Sequence, residues 1–440
     1  MGLTVSIYPT FFGGGRYHKG MTREDRSEWV RHRARQLGFA RCGIAPAGPV
    51  RAAERFEAWL AAGLAGSMSY LHRYIEQRRD PRRLLDGARS VVMCSLSYFQ
   101  RRPASGRGAD GPRGRIARYA WGADYHQLVK DKLWTLLDGM NRQFPEPFEA
   151  RVFVDTAPLL EKALAAEAGI GWIGKNTLLL DEQVGSFTVL GAIVTTLALE
   201  PDPPALDECG TCTRCLQACP TGALRLDRPY QLDARRCISY LSIEHRGAID
   251  ESLRPRMGRW LFGCDICQDV CPFNRRAAET TEAGFAPQPP APRPDARAVL
   301  EWTAVDCRRA TRGRALDRAT RSMLRRNAAV VLGNVGTRAD AAALRRAAAD
   351  GDALVADHAR WAMERIETRA AREQTMRTRR TLHYRCQQCG HSNPVGLVPA
   401  EYDPRTFVCE HCGNEQWVEL PDLLTADGKR FISHRPIEED

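Results

Sequence analysis

The stretch Cys209-Gly-Thr-Cys-Thr-Arg-Cys-Leu-Gln-Ala-Cys-Pro220 decides how the rest of this chain is read. Its C-x2-C-x2-C-x3-C-P order is the bacterial ferredoxin spacing, in which three thiolates wrap one cubane and the fourth ligates another. Tight turns at Gly210 and Thr211 let three sulfurs converge, and Pro220 bends the chain away. A second half follows as Cys237 and then Cys264-x2-Cys267-x3-Cys271-Pro272. Eight cysteines match the need of two [4Fe-4S] clusters with four thiolates each. The crossing rule assigns Cys209, Cys212, Cys215 and Cys271 to one cluster, and Cys219, Cys237, Cys264 and Cys267 to the other. The distant Cys237 is a departure from a plain ferredoxin. Two zinc sites are the alternative, but both Cys-Pro dipeptides and the x2-x2-x3 run fit iron–sulfur ligation better.

Outward from this segment, the chain has 440 residues, 43% hydrophobic and 27% charged, an ordinary globular composition with room for two to four domains. The net charge of +11 is compatible with an anionic partner such as nucleic acid without proving one. The longest apolar stretch, residues 187–199, falls short of the ~18 residues a membrane span needs. The N-terminus lacks the basic, apolar and small-residue order of a signal peptide. A cytoplasmic protein without membrane contact is expected. With no secretory signal, close-set cysteines read as metal ligands rather than disulfides. Cys42, Cys94 and Cys307 stand alone and read as small buried hydrophobes.

Residues 1–20 read as a disordered extension, with translation starting at Met1 or Met21. Residues 21–200 alternate helix and strand patterns: strands at 39–44, 90–99, 151–155 and 187–199, helices at 52–65, 125–140 and 159–168. The expected fold class is α+β with an α/β-like core, followed by a ferredoxin-like two-cluster domain over 201–276. Residues 277–312 read as a linker, because dense proline forbids regular pairing. Helices at 323–333, 341–348 and 355–366 read either as a HEAT-type repeat over 313–370 or as a plain helical hairpin. In the tail (380–420), Cys386-x2-Cys389-Gly390 and Cys409-x2-Cys412-Gly413 form a zinc-ribbon pattern, four thiolates for one Zn2+. A rubredoxin-type iron site is the alternative. His391 and His411 read as turn residues, since four cysteines suffice.

Several stretches resemble the epoxyqueuosine reductase family, which is related to cobalamin-dependent reductive dehalogenases. They are Glu76-Gln-Arg-Arg-Asp-Pro81, Ala117-Arg-Tyr-Ala-Trp-Gly-Ala-Asp-Tyr-His126, Val154-Asp-Thr-Ala-Pro158, Gly169-Ile-Gly-Trp-Ile-Gly-Lys-Asn176, Arg236-Cys-Ile-Ser-Tyr-Leu241 and Phe262-Gly-Cys-Asp-Ile-Cys-Gln-Asp-Val-Cys-Pro272. The resemblance covers residues 21–366 and leaves the tail outside. It implies cobalamin (B12) beside two [4Fe-4S] clusters. It implies reduction of epoxyqueuosine to queuosine at the wobble position of tRNA, with electrons from an unidentified low-potential donor.

By the same resemblance Asp155 is the proton donor, and Arg78, Ala117, Asp155, Asn176, Leu179, Ser239, Cys264 and Asp265 contact the cobalamin. Removing an epoxide oxygen as water needs protons, and desolvation at a strand end can raise a carboxyl pKa for that task. Read without the family, Asp155 is a helix N-cap, Arg78 a solvated residue, Ser239 a cap and Asp265 a loop acid. The basic clusters Arg73, Arg78, Arg79, Arg82, Arg83, Arg101, Arg102, Arg107, Arg113, Arg115 and Arg118, with Arg318, Arg321, Arg325 and Arg326, are candidate phosphate contacts. A monomer is expected. The competing functions are a dehalogenase-like enzyme on a small molecule and a non-enzymatic iron–sulfur carrier or RNA-binding scaffold.

Overall fold

The computed structural model describes residues 20–102, 111–385, 389, 392–397, 405–408 and 415–418. The chain divides into two compact units, Met1–Gly336 with Ala342–Ala362, and Thr337–Ala341 with Met363–Asp440. The first holds a four-stranded sheet built from β1 (Arg41–Pro46), β2 (Ser90–Ser97), β3 (Ala150–Phe153) and β4 (Thr188–Thr195), in the order β1-β2-β4-β3. Every neighbouring pair is antiparallel. This corrects the α/β-like reading of the core. Helix–strand alternation suggests parallel crossovers. Here the β1–β2 connection instead carries the short helices Ala53–Ala61 and Ile75–Arg79, and the chain re-enters the sheet at the end it left.

Both faces of the sheet are covered, which is why β2 reads as an unbroken apolar run. Val92, Cys94 and Leu96 face the helices Arg23–Gln36 and Tyr125–Gln143 through Val30, Val129 and Leu133. Val91 and Met93 face the helix Glu161–Glu167 through Ala163 and Leu164. Successive residues thus serve opposite faces, and each buried aliphatic side chain contributes ~1.5–3 kcal/mol. Cys42 and Cys94 are cross-strand partners in β1 and β2. At Gly191 in β4 a Cβ would lie 2.6 Å from Leu133 and 2.7 Å from Val129. The missing side chain seats the Tyr125–Gln143 helix directly on the sheet.

The proline-rich stretch expected to be a linker is packed instead. Phe285 is 0% exposed and belongs to the core beneath the Tyr125–Gln143 helix. Proline removes backbone donors, not acceptors, and an arginine uses those acceptors. The Arg314 guanidinium donates to the carbonyls of Pro289 (2.5 Å), Gln288 (2.7 Å) and Trp121 (2.8 Å). The helices Ala296–Leu300 and Ala304–Thr311 follow, capped by Asp295 and by a Thr303–Asp306 capping box.

Beyond it, Arg321–Val335 begins at the Thr320 cap, and Ala341–Ala348 and Ala353–Arg380 are helical. Arg326, 0% exposed, reaches from the first of these to the carbonyls of Leu241, His245 and Gly247. In the tail, β5 (Thr381–Arg385) pairs antiparallel with β6 (Ser392–Leu397), and β7 (Arg405–Val408) with β8 (Glu415–Val418). Cys386, Cys409, Cys412, His391 and His411 lie outside the described residues. Cys389 is an exposed turn residue. Among the described residues no helix is long and apolar enough to cross a membrane.

Phe285→Ala should lower the unfolding free energy by ~3–5 kcal/mol, as core aromatics do. A passive linker would show no change in the denaturant midpoint.

Candidate active site

The thiols fall into two groups. Cys209, Cys212, Cys215 and Cys271 line one pocket together with Lys175, Asn176 and Arg214. Burial first, then the neighbouring thiols Cys271, Cys209 and Cys212, push Cys215 up to about 11. Burial comes first at Cys264, followed among the thiols by Cys237 and Cys219; burial also comes first at Cys267, followed by Cys264, Cys237, then Cys215 of the other group and Cys219. Iron must displace these protons for the sulfurs to ligate. Helix starts help. Cys237 precedes the helix Ile238–Ile243, and burial raises its thiol while the amides of Tyr240 and Ser239 favour the thiolate. The Trp172 indole does the same at Cys209, again against burial.

Asp155 stands just past the end of β3, with φ +54°. It is not a helix cap: the next helix starts at Glu161, with Leu160 before it. Its Oδ2 accepts from the Tyr125 hydroxyl and lies 3.0 Å from His126 Nε2. His126 Nδ1 is 2.6 Å from Asp124 Oδ1, and that same carboxylate caps the Tyr125–Gln143 helix by accepting the His126 amide. Tyr125 stacks on His126 with ring centroids 4.1 Å apart.

The electrostatics reverse the expected charge of this site. Burial opposes a charged His126, but its contacts with Asp124 and Asp155 prevail and raise it to about 9. Burial likewise pushes Asp155 up, yet His126 and Tyr125 outweigh it and hold the carboxyl below its ordinary value. Asp155 is therefore an anion at neutral pH, and the proton rests on His126. A second carboxyl stands beside them. Glu161 accepts the Asp155 amide at 2.6 Å, and burial, then the Asp155 charge, raises it to about 8.

Of the other expected contacts, Ala117, Asn176, Leu179 and Asp265 are buried and Arg78, Ser239 and Cys264 half-buried. Arg78 packs its guanidinium over Phe56 at 5.8 Å and lies within electrostatic reach of Tyr70 and Glu161. Asn176 is 4% exposed. Ala117 (1% exposed) abuts Gly263, where a Cβ would come within 2.5 Å of the alanine's own, so Gly263 lets the Cys264 loop close in. Leu179 is buried in the core, and Ser239 is half-buried after Cys237. Asp265, far from being a solvated loop acid, is 0% exposed, and its Oδ2 takes Arg102 (2.5 Å) and Arg118 (3.0 Å). Three buried polar atoms in this set have no partner among the described residues: Arg78 Nε, Asn176 Nδ2 and Asp265 Oδ1.

Two segments of the chain match known families. Residues 78–156 match the family described as Epoxyqueuosine reductase QueG, DUF1730, and residues 208–274 match a 4Fe-4S double cluster binding domain. An epoxyqueuosine reductase of Xanthomonas campestris pv. campestris is 40% identical over 342 residues, 77% of this chain and 96% of the relative. The chain belongs to the epoxyqueuosine reductase family. The Escherichia coli (strain K12) enzyme is 37% identical over 76% of this chain and 88% of its own. A crystal structure of an epoxyqueuosine reductase with an epoxyqueuosine-modified tRNA stem loop superimposes with TM-score 0.72 at 29% identity, covering 79% of this chain and 92% of the other. The Bacillus subtilis reductase, solved with its catalytic loop swung out of the active site, gives 0.69 at 30%, covering 77% and 90%.

Within this family member, the motif reading missed His126, Tyr125 and Glu161 as site residues. The signal was present, because Asp124, Tyr125 and His126 end one of the quoted stretches. The phosphate-contact reading of the arginines needs correction. Arg118, Arg325 and Arg326 are buried. Arg79 pairs with Glu57, Arg82 with Asp80 and Arg318 with Glu244. Arg73 and Arg83 remain exposed, and Arg107 lies outside the described residues.

The folded site favours charged His126, so its proton is present below about pH 9 and lost above. Turnover should hold through neutral pH and decline as His126 deprotonates. His126→Gln should lower kcat by ~10²-fold or more and abolish that alkaline limb, general acids being worth 10²–10⁴. An unchanged pH–rate profile in the variant would remove the imidazole from proton delivery.

Proposed function

We propose that this chain reduces epoxyqueuosine to queuosine at the wobble position of tRNA. The observation that carries the reading is the Asp155–His126 pair beside a double-cluster segment of the same chain. The reaction takes up two electrons and two protons: the epoxide C–O bonds break, the alkene forms and the oxygen leaves as water. An oxygen departing from carbon needs a proton as it goes, and His126 holds one 3.0 Å from Asp155. Asp155 passes it on and is recharged from the imidazolium. Glu161, neutral below about pH 8, keeps a second proton beside them.

The donor sets fit the groups the reaction requires. Cys209, Cys212, Cys215 and Cys271 hold one [4Fe-4S] cluster, and Cys219, Cys237, Cys264 and Cys267 hold the second. Cobalamin, if bound, would supply low-potential reducing power for cleavage of the epoxide. Arg78, Asn176 and Asp265 each offer it a buried polar atom that has no partner among the described residues. Ala117, Leu179, Ser239 and Cys264 give it an apolar and backbone surface. One chain supplies all eight thiols and Asp155, so a monomer suffices. Such thiols suit a reducing cytoplasm.

The tail is a zinc ribbon on this reading. Each C-x2-C-G lies between two strands that pair, β5 with β6 and β7 with β8, as two zinc knuckles require. The helices from Arg321 to the tail form a HEAT-like part.

Two measurements test these assignments. Asp155→Asn should retain eight irons and bound corrin, read by iron content and absorbance, while turnover of epoxyqueuosine-tRNA falls at least ~10²-fold. Normal turnover would take the role from Asp155. Cys409→Ser should lose one zinc per chain while keeping eight irons; iron in place of zinc in the purified wild type would favour a rubredoxin-type site.

A further inference from the structure

The surface around the first thiol group carries three cations, Lys175, Arg214 and Arg275, against the exposed carboxylates of Asp207 and Glu208. The charged side chains lining its pocket are Lys175 and Arg214, both cationic. Lys175 Nζ donates to the carbonyls of Gly210 (2.5 Å) and Cys212 (3.1 Å), which fixes its charge on the ligand loop. Sharing Arg214 with this pocket is an open notch of about 430 Å3, lined by Arg214, Gln217, Ala218, Asp269, Val270 and Arg275. It runs between the helices Arg214–Ala218 and Ile266–Asp269, which carry Cys215 and Cys267. Its one carboxylate, Asp269, is taken by Arg118 at 2.6 Å.

Elsewhere in this segment Arg225 pairs with Asp227, Arg235 with Asp233 and Arg254 with Asp357, whereas Arg228, Arg246 and Arg256 are exposed without an ion pair among the described residues; what sets Arg214 and Arg275 apart is that they share the notch beside the thiols. Arg214 and Arg275 are exposed, and among the described residues neither forms an ion pair. Leu206, 79% exposed, stands three residues before Cys209 and offers an apolar contact. The acids near it are Asp207, which accepts from the Tyr230 hydroxyl and the Cys209 amide, and Glu208. Unpaired cations around an accessible redox group, with one apolar contact, suit a brief, electrostatically steered encounter rather than a permanent interface.

We propose that this notch docks an acidic one-electron carrier protein of the flavodoxin or ferredoxin class, and that electrons enter at the cluster held by Cys209, Cys212, Cys215 and Cys271. The proposal rests on the reductase reading above. In each encounter the carrier is oxidised by one electron and the cluster reduced by one. Two encounters match the two electrons consumed per epoxide, and no atom is transferred.

The test uses the reconstituted holoenzyme and an acidic flavodoxin. Arg275→Glu should weaken binding of oxidised flavodoxin at least threefold by calorimetry, and flatten the salt dependence of that affinity. It should raise the KM for reduced flavodoxin by a similar factor. Turnover driven by reduced methyl viologen should stay within twofold, with eight irons retained. Unchanged affinity and KM for flavodoxin would overturn the docking surface. Loss of viologen-driven turnover with iron intact would overturn it too, by placing Arg275 in the reaction itself. If the charge reversal lowers iron content, Arg275→Gln carries the same comparison with a smaller expected change. Wild-type enzyme inactive with viologen would defeat the reductase reading, while the calorimetry would still decide the docking.

Discussion

The buried ion pair between Arg118 and Asp265 fixes the cluster segment against the catalytic sheet. Arg118 follows Ala117 beside the sheet, and Asp265 follows the ligand Cys264. Their side chains are 7% and 1% exposed. Arg118 also reaches Asp269 at 2.6 Å and the Gln100 carbonyl at 2.7 Å, so one guanidinium ties the Cys264–Cys267 loop to the strand end at Gln100. A pair this deep is weak evidence for stability, because desolvation opposes the attraction. Its consequence here is positional. Burial, with Arg102 and Arg118 countering it, leaves the Asp265 carboxyl at about 6, so the contact keeps its charge only while both arginines stay in place.

The catalytic pair follows from an equally local constraint. Asp124 must cap its helix, and the capping carboxylate also receives His126 Nδ1, which turns Nε2 toward Asp155. Gly191 lets that helix sit on the sheet beside the strand that ends at Asp155. The expectation of a proton-bearing aspartic acid considered desolvation alone. The neighbouring imidazole changes the balance: His126 and Tyr125 stabilise the half-exposed carboxylate more than its partial desolvation penalises it.

The cysteine spacing made the cluster segment legible, because iron–sulfur ligation leaves a one-dimensional record. Strand positions were legible too, since β2 is buried on both faces. Antiparallel order was not, because alternation of elements does not say at which end the chain re-enters. The packed proline segment was misread for a physical reason: its carbonyls are satisfied by Arg314, and an arginine in sequence looks the same whether it meets phosphate or backbone. The same ambiguity hid the burial of Arg118, Arg325 and Arg326. Unpaired atoms at Arg78 and Asn176 have no sequence signature at all.

The two currencies of the reaction, protons and electrons, approach from different parts of the fold. Protons sit on His126 and Glu161, held by a helix start and a strand end of the sheet domain. Electrons come through thiol groups rooted in residues 209–271. Lys162 lies between the two, within electrostatic reach of both Asp155 and Cys267, and burial first, against those anions, lowers its pKa. A cation there favours negative charge on either side, so adding electrons near Cys267 and keeping Asp155 ionised are both eased by one side chain.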